Sequence, residues 1–172
     1  MQSFQFWEQF KSVPFDVVYT SSLLRARQSV SRFIASGIPH VALSALDEIS
    51  WGVLEGVSGT RESDTIFLDL LRRWKSGEVM ASAERGESPL EVQYRQQEFL
   101  QHIREIQHGN VLVCMHGRAM RILLCTLTGT PLSEMEQFPH TNLCLYQLHL
   151  HEGKAEVVRF NDTGHLNSHS IF

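Results

Sequence analysis

The stretch Val111-Leu112-Val113-Cys114-Met115-His116-Gly117-Arg118 constrains this chain more than any other. Five apolar residues, bounded before by Gly109-Asn110, run directly into a histidine, a glycine and an arginine. A short, continuous apolar run with β-branched residues reads as a buried parallel strand rather than a half-exposed one. An apolar helix, Ala119 to Leu127, is expected at once after it. His116 then stands at the carboxyl end of a central strand beside a helix N-terminus. In open α/β sheets ligands bind at that place, and free N–H groups there favour an anion. A histidine bonded to nearby backbone would fit the same position.

The chain has 172 residues, enough for one domain with a sizeable core. With 15 basic against 19 acidic residues, its formal charge of -4 offers no basic surface for nucleic acid. No apolar stretch reaches membrane-spanning length, and the first residues form no signal peptide. Cys114, Cys125 and Cys144 lie in apolar surroundings without a C-x-x-C pair, and are read as reduced core thiols of a cytoplasmic protein. His149, His151 and His169 share no metal-binding spacing and are expected at the surface; no thiolate–imidazole cluster suggests zinc.

From the N-terminus, Phe6, Trp7 and Phe10 share a helical face that Pro14 ends. Phe15 to Tyr19 reads as a strand, and Thr20-Ser21-Ser22 offers hydroxyls to cap a helix from Leu23 to Ala35. Arg25 and Arg27 sit in its first turns, against the helix dipole; Arg25 could be solvated or could hold an anion there. Val41 to Leu46 is a weak strand, followed by a glycine-rich structured loop. Glu48 stands just past that strand as His116 stands past its own, either as a surface acid or as a proton-transfer partner. A helix is expected over Ser63 to Trp74, then a polar, flexible stretch from Ser76 to Glu87. Ser88-Pro89-Leu90-Glu91 is a capping box opening a helix that runs to about Gly109. Asn142 to Leu150 and Ala155 to Phe160 form a β-hairpin around His151-Glu152-Gly153-Lys154.

Taken together in order, several segments resemble the histidine phosphatase superfamily, the phosphoglycerate mutase-like fold. They are Phe15 to Ala26, Leu46 to Ile49 with Gly52 and Glu55-Gly56, Gly86-Glu87-Ser88 with Arg95, Val111 to Gly117, Asn142, and Asn161-Asp162 with His165-Leu166. The resemblance implies a three-layer α/β/α sandwich over residues 1–172. It implies that Arg25 binds phosphate, that Glu48 donates a proton to the leaving oxygen, and that His116 bonds the transferring phosphoryl oxygens. No metal or other cofactor is implied. The partner is a small phosphorylated metabolite or a phosphate anion.

One element departs from that pattern. The family's nucleophilic histidine belongs to an Arg-His-Gly motif ending the first strand, upstream of the Arg25 position. Only 24 residues precede Arg25, and none is histidine or arginine. The implied first strand, between the strand of His116 and the Asn142 hairpin, is absent, leaving an apolar strand edge unpaired. The domain is therefore read as incomplete at its N-terminus and the chain as catalytically silent. Its parent activity is read as phosphomonoester hydrolysis through a phosphohistidine. The alternatives are a non-catalytic phosphate- or partner-binding relic, and mutase-type phosphoryl transfer in a longer form. His116 as a substitute nucleophile is the remaining reading.

Overall fold

The computed structural model describes residues 1–57, 59–106, 109–151 and 154–166. Helix α1 (Gln2–Phe10) leads into β1 (Phe15–Ser21), followed by the short helices α2 (Leu24–Ser29) and α3 (Ser31–Ala35). Next come β2 (His40–Leu43), α4 (Arg61–Lys75), α5 (Pro89–Arg95) and α6 (Gln97–Glu105). Strand β3 (Asn110–Cys114) delivers the chain to α7 (Gly117–Thr128), and the hairpin β4 (Leu145–His151) and β5 (Lys154–Asp162) follows.

The strands form two sheets. One is parallel with order β2-β1-β3, and the other is the antiparallel pair β4-β5. Side chains alternate across the parallel sheet as a strand period of two requires. Val18, Leu112 and Cys114 join a cluster with Phe6, Val30 and Phe33 from α1, the α2–α3 joint and α3. Val17, Tyr19, Val111 and Val113 join the other, with Phe99, Leu100 and Leu123 from α6 and α7. Helices thus cover both faces, giving the mixed α/β architecture implied by the resemblance. Among the described residues β3 pairs only with β1, so its second edge has no strand beside it. The chain opens with helix α1 where the family's first strand would lead. Phe6 and Trp7 of that helix pack edge-on against Phe33.

Several expectations are corrected in detail. The single helix over Leu23 to Ala35 is two, broken at Val30, whose backbone is not helical. The helix from Pro89 likewise divides at Gln96 and ends at Glu105. The weak strand stops at Leu43, and Ser44–Leu46 turns as a 3₁₀ helix. No hydroxyl caps α2: its N-cap position is Leu23, and the serines before it bond elsewhere. Helix α4 starts earlier than Ser63, at Arg61, because Thr60 and Ser63 cap each other reciprocally. The stretch Ser76 to Glu87 is folded, with Ala81 and Ala83 buried and the Trp74 indole donating to the Ala81 carbonyl at 2.7 Å. His149 and His151 lie on exposed positions of β4; His169 and the hairpin's Glu152-Gly153 lie outside the described residues. No helix among the described residues is long and apolar enough to cross a membrane.

Candidate active site

Three chain segments meet at the carboxyl ends of β1, β2 and β3. The sheet brings Ser21 at the end of β1 under His116, which follows β3 and takes the N-cap position of α7. The His116 ring is 9% exposed and both of its nitrogens are engaged. Arg25 Nε lies 3.2 Å from Nδ1, and Ser21 Oγ lies 2.7 Å from Nε2. A guanidinium N–H can only donate, so Nδ1 accepts and the ring proton sits on Nε2, donated to Ser21 Oγ. The same oxygen accepts from the Leu23 backbone N–H at 3.3 Å. Burial first, and then the Arg25 charge, push the His116 pKa down; Glu48 and Asp47 oppose this more weakly. The imidazole is therefore neutral near pH 7.

Glu48 approaches from the segment after β2. Its carboxylate accepts from the backbone N–H groups of Ala119 at 2.9 Å, Arg118 at 3.2 Å and Ile49 at 3.0 Å. It thus caps the N-terminus of α7, one turn from His116, where the helix dipole favours negative charge. Arg25, Glu48 and His116, widely separated in sequence, are brought to one place. Arg25 is exposed, and beyond Nε its guanidinium nitrogens have no protein partner among the described residues.

Arg95 fixes this arrangement from below. It forms a two-pronged ion pair with Glu87 and donates to the backbone carbonyls of Ser44, Ala45, Asp47 and Glu48. Asp47 in turn accepts from the Ser22 backbone and hydroxyl at 2.7 Å each, tying the turn after β1 to the segment carrying Glu48. Close crossing of two backbone segments sets the far wall: Val53 N–H bonds the Glu84 carbonyl and Glu87 N–H the Ser50 carbonyl. Gly52, at φ +55°, sits where an added Cβ would lie 2.1 Å from the Glu84 oxygen. Arg118, two residues after the histidine, turns away, pairing with Glu136 and lying 5.5 Å over the Trp74 ring.

Sequence reasoning does not single out Ser21, Asp47 or His140. Ser21 lies in a hydroxyl run that reads as helix caps, and the contact that matters is 95 residues away in sequence. The cysteines are no part of this chemistry: burial pushes Cys114 up to about 11 and Cys125 up to about 12, so both stay protonated.

The chain is 26% identical over 161 residues to "Putative phosphoserine phosphatase 2" of Hydrogenobacter thermophilus, covering 91% of this chain and 77% of that one. It is 28% identical over 154 residues to "Phosphoserine phosphatase 1" of the same organism, covering 88% and 72%. In fold it is similar to the alpha-ribazole phosphatase from Shigella flexneri, with a TM-score of 0.78 at 24% identity, over 94% of this chain and 80% of that one. Neither histidine nor arginine occurs before Arg25 to supply the family's first catalytic motif. A family model, "Histidine phosphatase superfamily (branch 1)", matches residues 1–163, and the chain belongs to that superfamily.

Proposed function

We propose that this chain keeps the phosphoryl-recognition half of a phosphomonoesterase site and binds a phosphomonoester or phosphate anion without turning it over. The observation that carries this is the contact of exposed Arg25 with a buried, neutral His116 at the sheet's carboxyl edge. Its remaining guanidinium N–H groups are the donors a phosphoryl group would meet. In this reading Arg25 holds the charge on the phosphoryl oxygens, and His116 joins it by turning its Nε2–H from Ser21 Oγ to the anion. Glu48 stands near the leaving oxygen, where a protonated carboxyl would act as acid. The phosphohistidine step needs a nucleophile that residues 1–24 do not carry. Hydrolysis is favoured over mutase chemistry as the parent activity because similar proteins are named phosphatases, in sequence and in fold. The relative named as a phosphoglycerate mutase matches over a shorter span, 124 residues. A cytoplasmic setting fits the free thiols.

His116 makes a poor substitute nucleophile. Attack needs an unshared ring lone pair in line with phosphorus, yet Nδ1 accepts from Arg25 and Nε2 carries the proton. The test is to incubate the 172-residue chain and its His116→Ala variant with a chromogenic phosphomonoester, and to melt both in rising inorganic phosphate. No turnover above buffer with saturable thermal protection by phosphate supports the reading. Turnover that vanishes in His116→Ala overturns it in favour of a working enzyme.

A further inference from the structure

His140 occupies a position that none of the roles above explains. It belongs to the segment between α7 and β4, and that segment is held at two adjacent carbonyls. Arg121 Nε donates to the Phe138 oxygen at 2.8 Å, and the Tyr146 hydroxyl donates to the Pro139 oxygen at 2.7 Å. Phe138 itself is buried in the core. The exposed His140 side chain thus hangs from an anchored backbone and lies against Gly117, the residue after His116. A Cβ built on Gly117 would stand 3.0 Å from His140 Nδ1 and 3.1 Å from its Cγ. Gly117 has an ordinary helical backbone, and a Cβ added there would press on this imidazole, which would have to give by a few tenths of an ångström. Among the described residues the His140 ring nitrogens have no hydrogen-bond partner, although the ring lies against the residue that follows His116 and within electrostatic reach of Glu48.

We propose that His140 is a third anion-binding group of this pocket, a protonatable imidazole that joins Arg25 and His116 around the dianionic head of a phosphomonoester. This rests on the reading of the pocket as a phosphoryl site. The charged groups facing His140 are Arg121 from α7 and Glu48 from the segment after β2. Arg121 is turned toward Glu136 and the Phe138 carbonyl, which offsets its charge. From the β4 side Cys144 and Tyr146 are both pushed up by burial, Tyr146 to about 12, and stay protonated throughout. Burial and Arg121 hold the His140 pKa down. A bound dianion raises it, so binding takes up a proton and tightens as pH falls through the bound-state value. Two cationic groups around one anion, Arg25 and the protonated His140, favour a dianion over a singly charged carboxylate.

The experiment titrates the 172-residue chain with inorganic sulfate, whose charge is constant over the range, at about pH 5.5 and about pH 8. Inorganic phosphate serves as a second probe. The expected result is sulfate binding about tenfold tighter at the lower pH, the scale of one charge-assisted hydrogen bond. His140→Gln should lose most of that gain, weakening binding far more at low pH than at high. Sulfate should also move the His140 imidazole titration, followed by NMR, to higher pH. If His140→Gln keeps the full pH-dependent gain, the inference is overturned and the phosphoryl-site reading stands. If neither anion binds saturably at either pH, or Arg25→Ala binds as well as the parent, that reading falls and takes the inference with it.

Discussion

At the scale of single residues, hydrogen-bond direction decides the state of the pocket. Arg25 donates to His116 Nδ1, which forces the ring proton onto Nε2 and toward Ser21. Ser21→Ala should leave that buried N–H without its acceptor, at a cost of about 1–3 kcal/mol in a chemical melt. A cost near zero would show that the ring had turned to another partner. The histidines also set a pH dependence. Burial holds His40, His116 and His140 below their ordinary pKa, with nearby Arg27, Arg25 and Arg121 adding to the effect in turn. Below about pH 6.5 the unfolded chain binds more protons than the folded one at these sites, so stability is full above that pH. It is lost as pH falls through the unfolded value toward the folded ones. Thermal melts should therefore show Tm falling between about pH 7.5 and about pH 5, and a His116→Gln variant should show a shallower fall. A rise in Tm on acidification would contradict the assigned neutral forms. Of these residues, Arg25 and His116 were visible in the sequence through their positions at expected strand and helix ends. Ser21 and His140 were not, because their partners lie far away along the chain.

At the scale of elements, the segment from Ser44 to Glu48 has little regular structure and is held in place by a side chain from α5. Arg95 donates to four of its carbonyls while paired with Glu87, whose other contact is the Ser50 backbone. Arg95→Ala should cost about 2–4 kcal/mol, since it strands buried carbonyls and leaves Glu87 unpaired. Arg95→Lys should recover only part of it, because an ammonium cannot span the same fork of acceptors. Since Asp47 of this segment holds the turn after β1 that leads to Arg25, both variants should also weaken phosphate protection; unchanged protection would mean that this turn is held without Asp47. The capping box of Ser88 and Glu91 was readable because its chemistry is local, and the helix starts where it says. The box of Thr60 and Ser63 was missed because a serine closes it in place of the usual Glu or Gln. The breaks at Val30 and Gln96 leave no local signal: neither is a glycine or proline, and Gln96 is buried with its amide donating to the Ala119 carbonyl of α7.

At the scale of the whole molecule, parallel pairing was within reach of the sequence, because helices intervene between the apolar runs and crossovers of that kind build parallel sheets; the order β2-β1-β3 was not. How the sheet continues toward the hairpin was not, since that depends on a strand for which residues 1–24 hold no counterpart. The hairpin makes its own sheet, and α1 packs its aromatic face on Phe33 and on His165 beyond β5. This leaves β1 paired on both sides and β3 on one. In a parallel strand alternate residues direct their N–H and C=O to opposite neighbours, so half of the β3 amides face β1 and half face away. Amide hydrogen exchange should resolve the difference. Val17 to Thr20 should be protected continuously, to near the global stability, while Val111 to Cys114 should alternate between slow and fast exchange with a period of two. The alternation matters because an unpaired edge on an apolar strand is a template for another chain. Continuous protection across β3 would mean that its outer edge has found a strand. If that protection then weakened on dilution, the strand would come from a second copy. If it did not, the strand would come from within the chain, and the parallel sheet would extend past β3.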